Sequence, residues 1–232
     1  MKMKRIYSSA LIAALIAIAV GHINDVVEEK SKVPPNNYSV VLEAVDAENP
    51  PSAEEMELAV EVINDRLAKK GYPGAAAEAI SSTEILVSMP ASDDNAETVD
   101  FLCRRGRLEF LDADGNVIMD GSSRYISSAS RQYAPLTVTG YPQYYVELRF
   151  TAEGRRAFVD ATAAAVAQTA EGKNYIVIAL DGEAQLSPSV HEVIDSDACI
   201  ITGKYTAEEA TELAALINSR ELPFEIRPQE IK

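Results

Sequence analysis

The stretch IALDGEAQLSPSVHEVI, residues 178–194, begins as an apolar segment, breaks at Asp181-Gly182 and resumes as a short segment that stops at Ser187-Pro188. An Asp-Gly pair between two such segments is a strong local signal of a β-hairpin. A histidine, His191, and a run of acids follow at once. The stretch therefore predicts antiparallel strands, and it raises the question whether the loop behind them has a function.

The same alternation of strands and helices extends over the rest of the chain. A second Asp-Gly hairpin is predicted in RLEFLDADGNVIMDG, residues 107–121. Two helices are predicted to start at capping boxes, one at Ser52 with Glu55 and one at Thr206 with Glu209. Their apolar residues recur with helical spacing at Met56, Ala59, Ile63 and Leu67, and at Ala210, Leu213, Ala214 and Ile217. Short connections between mixed elements predict an α+β fold with antiparallel or mixed sheets.

Composition narrows the class of function. The chain has 232 residues, a formal net charge of -15 and 47% hydrophobic residues. The apolar content is enough for a folded core. The acidic balance argues against nucleic-acid binding, which needs a surface rich in lysine and arginine. No Gly-rich phosphate loop and no metal-ligand spacing is present, so no cofactor and no metal is expected.

The first 25 residues have the pattern of an export signal. Lys2, Lys4 and Arg5 precede IYSSALIAALIAIAVGHI, residues 6–23, which carries no charged side chain. This is either a cleaved signal peptide or a single membrane anchor. Residues 26–37 are predicted to be a linker. In both cases the basic residues stay in the cytoplasm, so we expect an extracytoplasmic domain, either anchored in the cell membrane or secreted.

Three motifs of the second half resemble, in order and spacing, the large extracytoplasmic domain of the SecD family. They are VELRFTAEGRRAFVDAT, IVIALDGEAQLSPSV and ITGKYTAEEATELAALINSRELPFEI. In the first half AVEVINDRL, ILVSMP and RLEFLDADGNVIMDG agree as well. The resemblance implies a ferredoxin-like base over residues 38–121 and a smaller head over 143–226. The connecting region then covers 122–142 and a short tail covers 227–232.

Two features depart from the family pattern. The Leu-Asp-Leu-Arg-Gly-Gly-like signature expected before the first strand is replaced by KVPPNNYSVVLEAVD, and a glycine expected near the last helix is Arg220. The sequence also ends at Lys232, where SecD continues into transmembrane helices that use the proton gradient. The resemblance therefore implies an accessory in protein export without proton coupling of its own. A stand-alone extracytoplasmic binding module that kept the fold is the alternative.

The resemblance implies SecF-like and SecY-complex membrane subunits and unfolded exported polypeptide as partners. The tyrosine-rich stretch RYISSASRQYAPLTVTGYPQYY overlaps the connecting region, residues 122–142, where the chain loses periodicity and a long loop is predicted. Tyrosines with few charged neighbours suit contact with other chains. The candidate contact residues are Tyr125, Tyr133, Tyr141, Tyr144, Ser187, Pro188 and His191. A hinge between base and head is expected at Arg220 and Pro223.

Other combinations of residues have plainer interpretations. His191, with nearby serines and acids, superficially offers a nucleophile and a base, but no motif brings them together, and no enzyme activity is expected. DADGN, residues 112–116, is interpreted as a β-turn and not as a calcium loop. Cys103 and Cys199 are either a disulfide or two small buried side chains.

Overall fold

The computed structural model describes residues 35–46, 48–136 and 140–229. The strands are β1 (Tyr38–Ala44), β2 (Ala76–Ala79), β3 (Glu84–Met89), β4 (Leu108–Leu111), β5 (Val117–Asp120), β6 (Ile126–Pro135), β7 (Pro142–Phe150), β8 (Val177–Leu180), β9 (Glu183–Leu186), β10 (Ala198–Tyr205) and β11 (Ile226–Pro228). The helices are α1 (Ala53–Lys69), α2 (Asn95–Cys103), α3 (Ala152–Ala167) and α4 (Ala207–Asn218), with a 3₁₀ turn at Thr169–Glu171.

The first sheet has the strand order β11-β1-β3-β2, and each adjacent pair is antiparallel. Its elements follow the chain as strand, helix, strand, strand and helix, and the final strand returns from the far end of the sequence. This order is compatible with the ferredoxin-like base that the resemblance implies. The predicted apolar face of α1 is buried in its core, with Ala59, Ile63 and Leu67 each at most 1% exposed.

Both predicted capping boxes are confirmed. In the first, the Ser52 hydroxyl accepts from the Glu55 amide at 3.2 Å, and the Glu55 carboxylate accepts from the Ser52 amide at 2.8 Å. Thr206 and Glu209 make the same reciprocal pair at the start of α4. Each box satisfies two amides that a helix start leaves without partners, which is why both helices begin where the sequence predicts.

The second sheet has the order β5-β4-β8-β9 and contains both Asp-Gly hairpins. The residues at the turns, Gly115 and the pair Asp181-Gly182, have positive φ angles, as tight turns between twisted strands require. The β-turn interpretation of residues 112–116 is confirmed, because the Gly115 amide donates to the Asp112 carbonyl at 3.1 Å. The Asp112 carboxylate also accepts from the backbone amides of Asp114 and Asn116 at 2.9 and 2.8 Å.

The third sheet has the order β10-β7-β6, and α4 packs on β6 and β7. The predicted loop of residues 122–142 is wrong, because about half of this stretch, Ile126–Pro135, is strand β6. The strand was missed because many of its side chains are small and polar and most are at least partly exposed. Alternation between a buried and a solvent face is therefore weak, and this alternation is the signal by which a strand is predicted.

Strands β4 and β5, which the sequence assigns to the base, share a sheet with β8 and β9 of the second half, and β4 pairs directly with β8. Leu108 faces Leu180 and Phe110 faces Ile178 across the β4–β8 ladder. The domain boundaries at residues 122 and 142 stay predictions. The β4–β8 ladder joins a strand before residue 122 to a strand after residue 142. The class itself, α+β with antiparallel sheets, is confirmed.

The predicted signal peptide or anchor, residues 1–25, and most of the linker lie outside the described residues. Within the described ranges, no helix combines the length and apolar character needed to cross a bilayer. Cys103 and Cys199 are both free and partly buried, so the disulfide alternative is wrong. Burial raises the pKa of both thiols to about 12.

Candidate contact site on the β6–β7 hairpin

Two of the four candidate tyrosines form a pair across the β6–β7 ladder. Tyr133 of β6 faces Tyr144 of β7, and their ring centroids lie 4.6 Å apart. The Arg131 guanidinium lies 5.8 Å from the centroid of the Tyr144 ring. Tyr133 is 61% exposed. The hairpin therefore presents an aromatic surface whose two rings are positioned by their contact with each other. Such a surface is suited to contact with another chain.

The other two tyrosines lie apart from this pair in the hairpin. Tyr141 precedes β7 and is 77% exposed. Tyr125 precedes β6 and packs partly against the core, and its carbonyl accepts from the amide of Thr151, the N-cap residue of α3. Tyr125 therefore ties the hairpin to α3, so its backbone has a structural role.

Ser187, Pro188 and His191 belong to a different part of the fold from the tyrosines. They follow β9, at the edge of the second sheet, and all three are exposed. The backbone here is held, because the Pro188 carbonyl accepts from the Ile176 amide at 3.3 Å. In the described residues, no hydrogen bond or ring contact links this group to the tyrosines.

The acids that follow His191 pair with an arginine. Arg155 of α3 donates to Asp195 at 2.6 Å and to Asp197 at 2.9 Å. The bond from Arg155 lowers the pKa of Asp195. The two carboxylates thus pair with Arg155, and in the part of the chain that the structure describes no hydrogen bond links either of them to His191. The described residues also contain no cluster of side chains suited to holding a metal ion.

Two asparagines that the sequence did not single out close the edges of sheets. Asn64 of α1 donates to the Ala77 carbonyl at 3.1 Å and accepts from the Ala77 amide at 2.9 Å, on edge strand β2. Asn218, the last residue of α4, makes the same two bonds to Ala129 of β6, both at 2.7 Å. Each asparagine side chain thereby makes, to one residue of the edge strand, the two hydrogen bonds that a neighbouring strand would make. The only sequence signal is an asparagine within or at the end of a predicted amphipathic helix.

Arg220, one of the two expected hinge residues, lies beside a buried arginine. Arg66 of α1 is fully buried. It donates to the carbonyls of Leu102, Arg104, Arg105 and Arg220 and to the Ser219 hydroxyl. It therefore joins the chain leaving α2 to the chain leaving α4. Burial lowers the pKa of Arg66 to about 10, which still leaves it protonated at neutral pH.

Further bonds connect the chain leaving α2, residues 103–106, to the chain leaving α4, residues 219–224. We call these two segments the crossings. The Leu222 amide donates to the Arg105 carbonyl at 2.9 Å, and Arg105 pairs with Glu221 at 2.7 Å. The Arg220 side chain pairs with Glu61 of α1. A cleft of about 390 Å³ lies beside this junction and is lined by residues such as Gly106, Ser122, Asn218 and Arg220.

Comparison with known proteins places most of this fold in one family. The family described as SecDF, P1 head subdomain, matches residues 111–224. The protein translocase subunit SecD of Acidaminococcus fermentans is 30% identical over 171 residues, which is 74% of this chain and 38% of that protein. SecD of Dictyoglomus turgidum is 29% identical over 168 residues, covering 72% of this chain and 39% of that protein. The chain thus spans about two fifths of the length of these relatives.

Solved structures agree in fold. The structure of the membrane component SecDF that enhances protein export superposes with a TM-score of 0.69 at 21% identity, covering 84% of this chain and 99% of that chain. The crystal structure of SecDF in its super-membrane-facing form gives the same TM-score and covers 83% of this chain. The ordered motifs, the matched head subdomain and the SecD relatives show that the chain resembles the SecD family over most of its length, and the solved structures agree in fold.

Proposed function

We propose that this chain acts in protein export as a SecD-like accessory that binds or guides exported polypeptide on the extracytoplasmic side of the membrane. The observation that carries the proposal is the similarity to SecD over 171 residues, which includes the sequence of the β6–β7 hairpin. The named relatives are protein translocase subunits.

The proposed contact is reversible and non-covalent. An unfolded polypeptide offers apolar and aromatic side chains and backbone amides, and Tyr133 with Tyr144 supplies an apolar surface with polar tips. The role requires no proton transfer among the described residues. Most of their ion pairs have at least one solvent-exposed side chain, and the buried guanidinium of Arg66 is hydrogen bonded to carbonyls and a hydroxyl.

Co-purification tests the accessory role. A tagged chain is isolated from native membranes in mild detergent, and SecF-like and SecY-complex subunits are expected to be enriched with it. A chain that never enriches these subunits has no accessory role, and the alternative of a stand-alone extracytoplasmic binding module is then favoured.

Site-specific crosslinking tests polypeptide contact. A photoreactive residue at Tyr133 is expected to crosslink to an exported protein that is arrested during translocation. Ile80, which follows β2 and is 50% exposed, is the matched control position. Equal crosslinking at the two positions would contradict a contact site on the hairpin.

A further inference from the structure

The edges of the sheets in this fold are closed in different ways. Free strand edges tend to pair with other chains, so proteins commonly shorten them or cover them. Strand β2 has four residues, and Asn64 closes its residue Ala77. In β10, the amide and carbonyl of Ala198 both bond to the Ser196 hydroxyl. Strand β11 has three residues and ends at Pro228.

Strand β6 is closed along only part of its length. Asn218 takes both outward backbone groups of Ala129. The register with β7 is regular from Ser128 to Pro135. In an antiparallel edge strand, every second residue directs its N–H and C=O away from the neighbouring strand. Arg131, Tyr133 and Pro135 therefore have the same outward orientation as Ala129.

These outward groups are open to solvent. Among the described residues, no hydrogen bond reaches the backbone amide or carbonyl of Arg131 or Tyr133. Both residues are exposed, as is Pro135. Pro135 contributes a carbonyl only, since proline has no N–H. The open edge, defined as residues 131–135, thus offers two outward amides and three outward carbonyls.

The open edge is joined to the aromatic surface of the hairpin. Tyr133 lies on the open edge itself, and its ring packs on Tyr144 of the adjacent strand. A strand added to this edge would have its backbone against residues 131–135 and every second side chain on the face that carries the Tyr133 ring. Backbone pairing of this kind gives affinity largely independent of sequence, and an aromatic surface adds apolar contact.

We propose that the open edge of β6 binds exported polypeptide by β-strand addition, so that the bound segment becomes a fourth strand next to β6. This inference rests on the proposed function, and it specifies how the polypeptide is recognised. The occupant is an extended segment of almost any sequence, because the groups that hold it are backbone amides and carbonyls. Folded proteins, most of whose strand edges are paired, shortened or covered, are poor ligands for this mode.

The edge of β10 is a poorer site for the same occupant. Ser196 closes Ala198, and the register shifts between Thr202 and Tyr205. A β-bulge of this kind twists a strand away from regular pairing. Only Ile200 and Thr202 then direct their backbone N–H and C=O groups outward in regular alternation. This stretch of open edge is shorter than the one on β6.

The test compares two variants of the full-length chain at one position. Tyr133→Pro removes one outward N–H and leaves the β6–β7 ladder intact, since that amide does not donate to β7. Tyr133→Ala removes the ring but keeps the amide. The probe is a short fluorescent peptide of alternating threonine and valine, and its binding is measured by anisotropy. We expect Tyr133→Pro to weaken binding by at least about fivefold relative to Tyr133→Ala, from the lost bond and the ring clash.

A second measurement does not depend on the folding of a variant. A peptide with the same side chains, in which the central amides are replaced by esters, lacks the N–H donors that pairing requires. The wild-type chain should bind this ester peptide at least about tenfold more weakly than the amide peptide, since several bonds are lost. A peptide of alternating serine and isoleucine should bind within about threefold of the original, because side chains contribute less than backbone in this mode.

The outcomes separate the two proposals. If wild-type chain binds the amide and ester peptides equally, strand addition is overturned while polypeptide binding stands. Equal affinities of the proline and alanine variants would overturn it in the same way. If wild-type chain binds none of the peptides and Tyr133 fails to crosslink to an arrested exported protein, both the binding mode and the proposed polypeptide contact are wrong.

Discussion

Arg66 shows how one buried charge organises a junction of the chain. It lies three positions after Ile63 and seven after Ala59, so it occupies the apolar face of α1. Its guanidinium has donors for several acceptors, and the carbonyls at the end of α2 are groups that the helix leaves without partners. Burial of the charge is unfavourable, but the carbonyls it satisfies would otherwise be buried unpaired.

Replacing Arg66 by methionine should destabilise the protein by about 3 kcal/mol, because several buried carbonyls lose their donor. Urea unfolding followed by circular dichroism measures the change. Arg156→Met, at an exposed position of α3, is the matched control and should change stability by less than about 0.5 kcal/mol. Equal effects of the two substitutions would contradict the role assigned to Arg66.

Gly154 is required by a close approach of two backbones. A Cβ atom at this position would lie 2.0 Å from the carbonyl oxygen of Tyr125, in the segment that enters β6. Gly154→Ala should therefore destabilise the protein by about 2 kcal/mol or more, although alanine favours a helix. Thermal unfolding measures the effect, with Arg156→Ala, two positions further along α3 and exposed, as the control. A stabilised Gly154→Ala protein would show that the segment before β6 shifts easily.

Individual residues were the least predictable part of the site. Nothing in the sequence distinguishes Arg66 from a surface arginine except its position on the apolar face of α1. The pair of Tyr133 and Tyr144 could not be predicted, because it depends on the β6–β7 register, and β6 itself was predicted to be a loop. Asn64 and Asn218 act on strands distant in sequence, so local patterns do not reveal them.

Elements with strong local signals were predicted well. Capping boxes locate helix starts through contacts within one turn, and Asp-Gly pairs locate hairpins through the backbone conformation they permit. The same rules contain no information about which strand pairs with which. The pairing of β4 with β8, and of β1 with β11, is set by contacts between distant segments.

The predicted hinge motion between base and head would take place at the two crossings. Arg220→Gly removes the pair with Glu61 and adds backbone freedom, but Arg66 still bonds both crossings. The distance distribution between spin labels at Glu57 and Glu171 should widen with Arg220→Gly, and it should widen further when Arg66→Met is added. Pulsed electron resonance measures these distances, and circular dichroism checks that secondary structure is retained. Equal distributions in all proteins would show that base and head form one rigid unit.

At the scale of the whole molecule, the orientation across the membrane is testable with a single cysteine. Ser122 is exposed, and Ser122→Cys should react with a membrane-impermeant maleimide in intact spheroplasts. The native thiols give little background, because a pKa of about 12 leaves almost no thiolate at neutral pH. The chain without Ser122→Cys is the control. Labelling that appears only after lysis would contradict an extracytoplasmic domain.

The placement of β11 has a consequence for the order in which the protein acquires its structure. The pair Leu42 and Pro228 joins the two ends of the described chain, and nearly all other elements lie between them in sequence. During synthesis or export from the N-terminus, β1 can pair with β3 early, but its second edge stays vacant until the last strand emerges. The intervening segments can meanwhile form their own hairpins and helices, whose contacts are mostly nearer in sequence. Closure of the first sheet is therefore expected to be the final step of folding, and until then β1 is the edge most exposed to aggregation.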